Sequence, residues 1–184
     1  MVKFLKWTLI SLVLVAAVLV LAFNILRSNT KKHSPEQVVE FKQDDLELSV
    51  FYNRPYKNER EIFGALVPYG EVWRTGANEP TTFTTNKSLS IDGKKLPAGT
   101  YTLWTIPKKD EWEVIWNSKD YGWGISAFDQ KASRKADYDV LTVDEAVKST
   151  DKTVEQFTIS FEKGSPILFV LEWDDTRIEV PIEE

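Results

Sequence analysis

Trp7 to Leu26 reads WTLISLVLVAAVLVLAFNIL, twenty consecutive residues without a charge. As a helix rising about 1.5 Å per residue, such a run covers about 30 Å, the hydrocarbon thickness of a bilayer. This one feature divides the 184-residue chain into a segment suited to lipid and a body suited to water. Residues 1–27 are read as a single-pass N-terminal membrane anchor helix, its apolar surface supplied by Trp7, Leu9, Ile10, Leu12, Val13, Leu14, Val15, Val18, Leu19, Val20, Leu21 and Phe23. The alternative is a cleaved secretory signal, since Lys3 and Lys6 give a basic start and Val20-Leu21-Ala22 has the spacing of small residues that a signal peptidase uses. Two features favour retention: the run exceeds the usual signal core of about 7–15 residues, and Phe23, Ile25 and Leu26 continue it past the cut. Basic residues flank both ends, Lys3 and Lys6 against Arg27, Lys31 and Lys32, so charge does not orient the helix. The short N-terminal tail is read as belonging to a signal-anchor that exports the body of the chain.

Residues 28–45, opening SNTKKHSPEQ, are expected to be a polar tether, and residues 46–184 a single β domain. Lys3, Lys6 and Arg27 are the only charges of the first 27 residues, so the remainder carries 20 basic against 28 acidic side chains, a net charge of -8. An acidic surface repels polyphosphate and anionic lipid, although a local basic patch can persist within the negative field, and no nucleic acid partner is expected. There is no cysteine, which removes disulfides, thiolate nucleophiles and soft metal sites together. The one histidine, His33, lies between Lys32 and Ser34 without neighbouring ligand candidates and is read as a solvated linker residue. Neither a metal nor a cofactor is expected.

From Glu47 onward the pattern is of short runs with period two. Leu48, Val50 and Tyr52 alternate with Glu47, Ser49 and Phe51; Trp112, Val114 and Trp116 with Glu113, Ile115 and Asn117; Phe157, Ile159 and Phe161 with Thr158, Ser160 and Glu162. Asp92-Gly93 between Ile91 and Leu96 is a strong hairpin signal. Ile167 to Trp173 is apolar on both faces and reads as a central strand, with Asp174-Asp175 turning the chain into Arg177 to Ile182. Short helices are expected around Phe128 to Ala136 and Val143 to Ser149, although neither has a sustained 3.6 period. The fold class is mainly β: about eight antiparallel strands in a sandwich or a jelly-roll-like barrel, behind one transmembrane helix.

The densest stretch is PYGEVWRTGANEPTTFTT, Pro68 to Thr85. One reading makes it a site. Arg74 supplies a planar guanidinium for a carboxylate or phosphate, Asn78 and Glu79 polar orienting groups, and Trp73 a stacking face, with Arg54 and Arg60 converging on them as an anion pocket. The other reading makes it a staple, with Gly70 and Gly76 in turns, Arg74 paired with Glu71 or Glu79, Asn78 bonded to local backbone and Trp73 filling the sheet interface. Tyr121-Gly122-Trp123-Gly124 sets an aromatic ring between glycines, and Trp123 is the candidate platform for a sugar ring; Trp112 and Trp116 are in register with the core. No nucleophile elbow appears, and the lone histidine is remote from any serine pattern. Paired carboxylates for glycan hydrolysis, Glu71 and Glu79 or Asp129, are not selected by their spacing.

Val67 to Glu79, the Thr82 to Thr85 run, Leu96-Pro97-Ala98-Gly99-Thr100-Tyr101 and Trp112 to Asn117 resemble the signature of a bacterial domain-of-unknown-function family, number 2911. The resemblance spans roughly Leu48 to Ile182 and is most specific in WRTGANE. It implies an exported or envelope-associated protein and brings neither an activity nor catalytic residues. The expectation is a binding or interaction module in the cell envelope, anchored in the inner membrane with a periplasmic body, its partner a small ligand, a glycan or an envelope protein. A glycan-directed hydrolase and a structural assembly protein are the alternatives.

Overall fold

The structure is a computed structural model describing residues 2–126 and 128–184, and it divides into two units, 1–33 and 34–184. In the first, one helix, α1, spans Val2–His33, and its apolar side chains are exposed rather than packed against protein. Its length and composition suffice to cross a membrane, as a bilayer anchor or a signal sequence does. The helix outlasts the apolar run because Lys31, Lys32 and His33 in its last turn complement the negative end of the helix dipole. It stops before Pro35, which disfavours helix at Ser34.

The expected tether at 28–45 is therefore corrected. Residues 28–33 are helical and Glu36–Gln43 forms β1, whose alternating half-buried residues include Val39 and Phe41 against the core. The period-two pattern of EQVVEFKQ lies within a stretch whose charge masked it.

The second unit is a sandwich of two antiparallel sheets, as expected, with ten strands. Six strands, β1 with β2 (Leu46–Asn53), β3 (Thr81–Thr85), β6 (Gly99–Pro107), β7 (Glu111–Asn117) and β8 (Asp139–Ala146), form the larger sheet in the order β1-β2-β3-β6-β7-β8. The smaller runs β5-β4-β10-β9, from Lys94–Leu96, Leu89–Ile91, Ile167–Glu183 and Lys148–Glu162. Asp92 and Gly93, at φ 50° and 67°, form the turn between β4 and β5 that the Asp-Gly pair predicted. Val147 is the single residue between β8 in one sheet and β9 in the other.

Two expected helices are not formed, and the second of them is replaced by strand. Val143 to Ser149 belongs to β8 and β9, and between Phe128 and Tyr138 the only regular helix among the described residues is a 3₁₀ turn at Ala136–Tyr138. Inward Leu141 and Val143 alternate with Thr142 and Asp144, so a buried face with period two overrides local helix propensity. Likewise Asp174-Asp175 is no chain reversal: β10 continues through it, with register shifts around Asp174 and a φ of 57° there, a bulge within one long strand.

The inner faces meet in an aromatic centre. Trp73 stacks on Trp173 at 6.0 Å and lies edge-on to Trp112 at 6.1 Å and Phe157 at 5.1 Å, while Phe63 contacts Trp73, Trp112 and Trp173. Phe63, Ile62 and Val67 come from the long connection 54–80, which covers one end of the core. A second, smaller cluster sits on the outer face of the larger sheet, where Trp104 and Ile115 are covered by Tyr121 from the connection 118–138.

At the open end of β8, Glu145 lies near Asp92, Asp144 and Glu179, and burial together with these carboxylates pushes it up to about 7, partly offset by Lys148. A raised carboxyl pKa favours the folded state when the group is protonated. Its contribution is complete below the ordinary carboxylate range near 4.5 and is lost as pH rises through 7. Glu145 is half-exposed, so after screening the difference is about 1 kcal/mol. Glu145→Gln is expected to raise the melting temperature at pH 8 by about 2–4 °C while leaving it unchanged at pH 4, as thermal melts at the two pH values would show. An equal shift at both would remove Glu145 as the titrating group.

Candidate functional site

Trp73 pairs with Thr105 of β6 through two backbone hydrogen bonds, Trp73 N–H to the Thr105 carbonyl at 2.7 Å and Thr105 N–H to the Trp73 carbonyl at 2.9 Å. Thr81 then begins β3 opposite Leu103 of the same strand. Trp73 thus lies in the lane of β3 alongside β6, and residues 74–80 are a loop thrown out of it, closed by the Thr81 N–H to the Arg74 carbonyl at 3.2 Å. Thr75 and Asn78 both take φ 55°, a conformation that costs about 1–3 kcal/mol at non-glycine residues and persists only where surroundings enforce it.

The surroundings do enforce it. Thr75, Asn78 and Thr81 are buried, Thr75 Oγ1 lies 3.2 Å from Thr105 Oγ1, and the Thr81 hydroxyl donates to the Thr75 carbonyl. The Trp73 indole N–H donates to the Gly76 carbonyl at 3.0 Å. A side chain at position 76 would meet the Asn53 carbonyl at 3.0 Å with φ at 150°, so only glycine fits there. Fully buried Asn53, at the end of β2, donates to Glu79 at 3.3 Å and accepts from Asn78 at 3.4 Å. Asn78 also donates to the carbonyl of Ser34, the first residue of this unit, at 3.5 Å. Asn78 and Glu79 are therefore tied into the framework, and Trp73 into the core.

Arg74 is different. Its side chain leaves on the outer side, under the connection 118–138, where Nη1 donates to the Trp123 carbonyl at a long 3.5 Å. Burial lowers the affinity of the guanidinium for its proton, and the Glu79 carboxylate nearby partly restores it. Gly124, at φ 74°, lies against Pro80 and the Arg74 stem, so close that a methyl group on it would stand 2.5 Å from Pro80 Cγ. The ring of Trp123 is exposed, at 36%.

The connection is held at its base by groups that the sequence did not single out. Fully buried Asn117 donates to the Lys135 carbonyl at 2.9 Å and to Asp139 at 2.7 Å, and accepts from Lys119 N–H and the Tyr121 hydroxyl. Arg134 binds Asp139 through Nε at 3.1 Å and through Nη2. The one available signal was the asparagine closing an otherwise apolar WEVIWN strand.

Arg54 and Arg60 do not join Arg74 in a cluster of converging arginines, and that expectation is corrected. Arg54 donates from Nε to the Phe157 carbonyl at 3.0 Å, from Nη1 to Gln37 at 2.6 Å and from Nη2 to Thr158 at 2.8 Å, joining β1 and β2 of one sheet to β9 of the other. Arg60 donates to the carbonyls of Lys57 and Tyr56 in its own turn. A guanidinium follows whichever acceptors the fold presents, and in both cases these are backbone or strand groups close by. Of the carboxylates, Glu71 and Asp129 are exposed while Glu79 is bonded to Asn53. Among the described residues no group of three or more His, Asp or Glu side chains is placed to hold a metal ion.

The fold and this loop define a class: a two-sheet antiparallel sandwich behind an apolar helix, with a WRTGANE loop welded across one end of the larger sheet. The chain belongs to the DUF2911 family, described as protein of unknown function, whose sequence model matches residues 34–182. The match starts at the residue where the β unit starts, so β1 belongs to the family domain and α1 lies outside it. No curated protein and no solved structure matches the chain significantly.

Proposed function

We propose that the protein is a single-pass envelope protein whose exported sandwich binds small ligands bearing a carboxylate or phosphate, acidic glycans among them, at Arg74 and Trp123. The observation that carries this reading is Arg74. It is a half-buried guanidinium at the protein surface, near the Glu79 carboxylate, whose hydrogen bond among the described residues is a single long contact to a carbonyl, beside an exposed indole flanked by glycines. A guanidinium gains most from a planar oxyanion that replaces lost water with two parallel hydrogen bonds, and an indole face suits the C–H face of a sugar. Residues 75–81 serve as the staple that holds Arg74 in place.

Glucuronate and glycerol phosphate are the probes. Arg74→Ala is expected to abolish their binding, measured by NMR titration of the full chain, while changing unfolding stability by less than about 1 kcal/mol. A stability loss as large as that of a core truncation would make Arg74 part of the staple and sink the site. The alternatives, a glycan hydrolase with paired carboxylates and an assembly protein pairing through its sheet edges, would each leave probe binding indifferent to Arg74.

The envelope address rests on the resemblance and on α1, read as a retained anchor with a periplasmic body. A periplasm-dependent alkaline phosphatase fused after Glu184 is expected to be active and membrane-bound. An inactive fusion would place the body in the cytoplasm.

A further inference from the structure

The connection 118–138 presents its most apolar part outward. Phe128 is 100% exposed and Trp123 is 36% exposed, although Tyr121 and Gly124 on the same stretch are buried and the base is fastened through Asn117 and Asp139. The tip is held by the Ile125–Ala132 bridge and by the Ser133 N–H on the Gly124 carbonyl at 2.9 Å. Two large aromatics exposed on one anchored loop offer apolar surface that a second apolar phase can cover.

The place of this loop says what covers it. Gly124 lies against Pro80, and two residues before Pro80 the Asn78 side chain holds the Ser34 carbonyl. Ser34 is where the chain enters the β unit, and it is only 9% exposed. The aromatic loop therefore borders the end of the sandwich at which the chain arrives from the membrane, and the WRTGANEP loop is the bridge between them. Exposed Lys131 and Lys135 lie on the same connection, which carries four basic and three acidic residues within an otherwise acidic body. Tryptophan with flanking lysines is the composition that partitions into the bilayer interface.

We propose that this end of the sandwich rests on the bilayer in which the chain is anchored, with Trp123 and Phe128 in the interfacial layer and Arg74 on a lipid phosphate. The proposal rests on the oxyanion reading of Arg74 and on a retained α1, and it names the lipid headgroup as the natural occupant. An aromatic pair at the interface and a second, intramolecular membrane contact would hold the body at one orientation, because the anchor raises the local concentration of lipid at the loop.

The absence of cysteine permits single-site labelling of the full chain. In nanodiscs of mixed phosphatidylethanolamine and phosphatidylglycerol, an environment-sensitive fluorophore attached through Asp129→Cys is expected to shift to the blue and to lose most of its emission to headgroup-region nitroxide lipids. A label through Ala98→Cys, at the opposite end of β3, is expected to do neither. Adding Trp123→Ser and Phe128→Ser to the first variant is expected to return its spectrum to that of the second. Identical behaviour of the two labels, both quenched or both unquenched, overturns the proposal; an unquenched pair is also what a protein partner on this loop would produce. Glycerol phosphate titration, run separately, distinguishes the failures. Binding that depends on Arg74 with an unquenched loop leaves the oxyanion site standing without the lipid, and absence of both removes both.

Discussion

Trp173→Ala is expected to lower the unfolding free energy by about 3–5 kcal/mol and the melting temperature by roughly 10 °C or more. Trp173 is 1% exposed and is in ring contact with Trp73 and Phe63 of the 54–80 connection and with Phe157 of β9. Removing it opens a cavity at the point where both sheets and the 54–80 connection meet, and the surrounding rings are too rigid to collapse into it. Its indole N–H has no hydrogen-bond partner among the described residues, so the contribution is packing. Trp173→Phe is therefore expected to cost much less, about 1–2 kcal/mol. Urea denaturation of the two variants checks the ratio. Equal losses would mean that the indole N–H makes a bond the packing does not reveal.

Arg54→Ala is expected to cost about 2–4 kcal/mol, because it leaves the Phe157 carbonyl, Gln37 and Thr158 without their shared cationic donor. Arg54 works beside Tyr52, whose hydroxyl accepts from the Ile159 N–H at 2.9 Å, so the end of β2 and the middle of β9 are laced together twice. Arg54→Lys is expected to restore less than half of the loss, since an ammonium cannot meet three acceptors spread around a planar fork. The measurement is again urea denaturation, with hydrogen exchange of the Ile159 amide reporting where the lacing loosens. A loss below about 0.5 kcal/mol would show that Arg54 does not hold the two sheets together. The same contrast is the test that separates the arginines: Arg54 is expected to govern stability, and Arg74 is the residue proposed to govern binding.

Strand identity was legible wherever one face is buried and the other wet. The runs through Leu48, Val114 and Phe157 fall where their alternation puts them, as does the Asp92-Gly93 turn. β1 was hidden because three of its four outward residues, Glu36, Glu40 and Lys42, are charged and its inward face is only half-buried. The Val143 to Ser149 segment was misread because it is short and its apolar spacing fits either period. Within the candidate site, the importance of Trp73 to Glu79 was legible from composition. The division of labour inside it was not. Nothing in WRTGANE says that Asn78 reaches Ser34 or that Arg74 ends beneath Trp123, 49 residues away.

The amino-acid sequence by itself determined an apolar helix long enough for a bilayer, an acidic two-sheet β body and the location of its most specific loop, because hydrophobic periodicity and turn chemistry are local properties. Only the tertiary structure decided which arginine faces outward and which two lace and cap the framework, and that the aromatic loop borders the end where the chain enters the sandwich. A guanidinium's role depends on which acceptors surround it, and those acceptors are brought together from distant segments only when the two sheets close on their shared aromatic core.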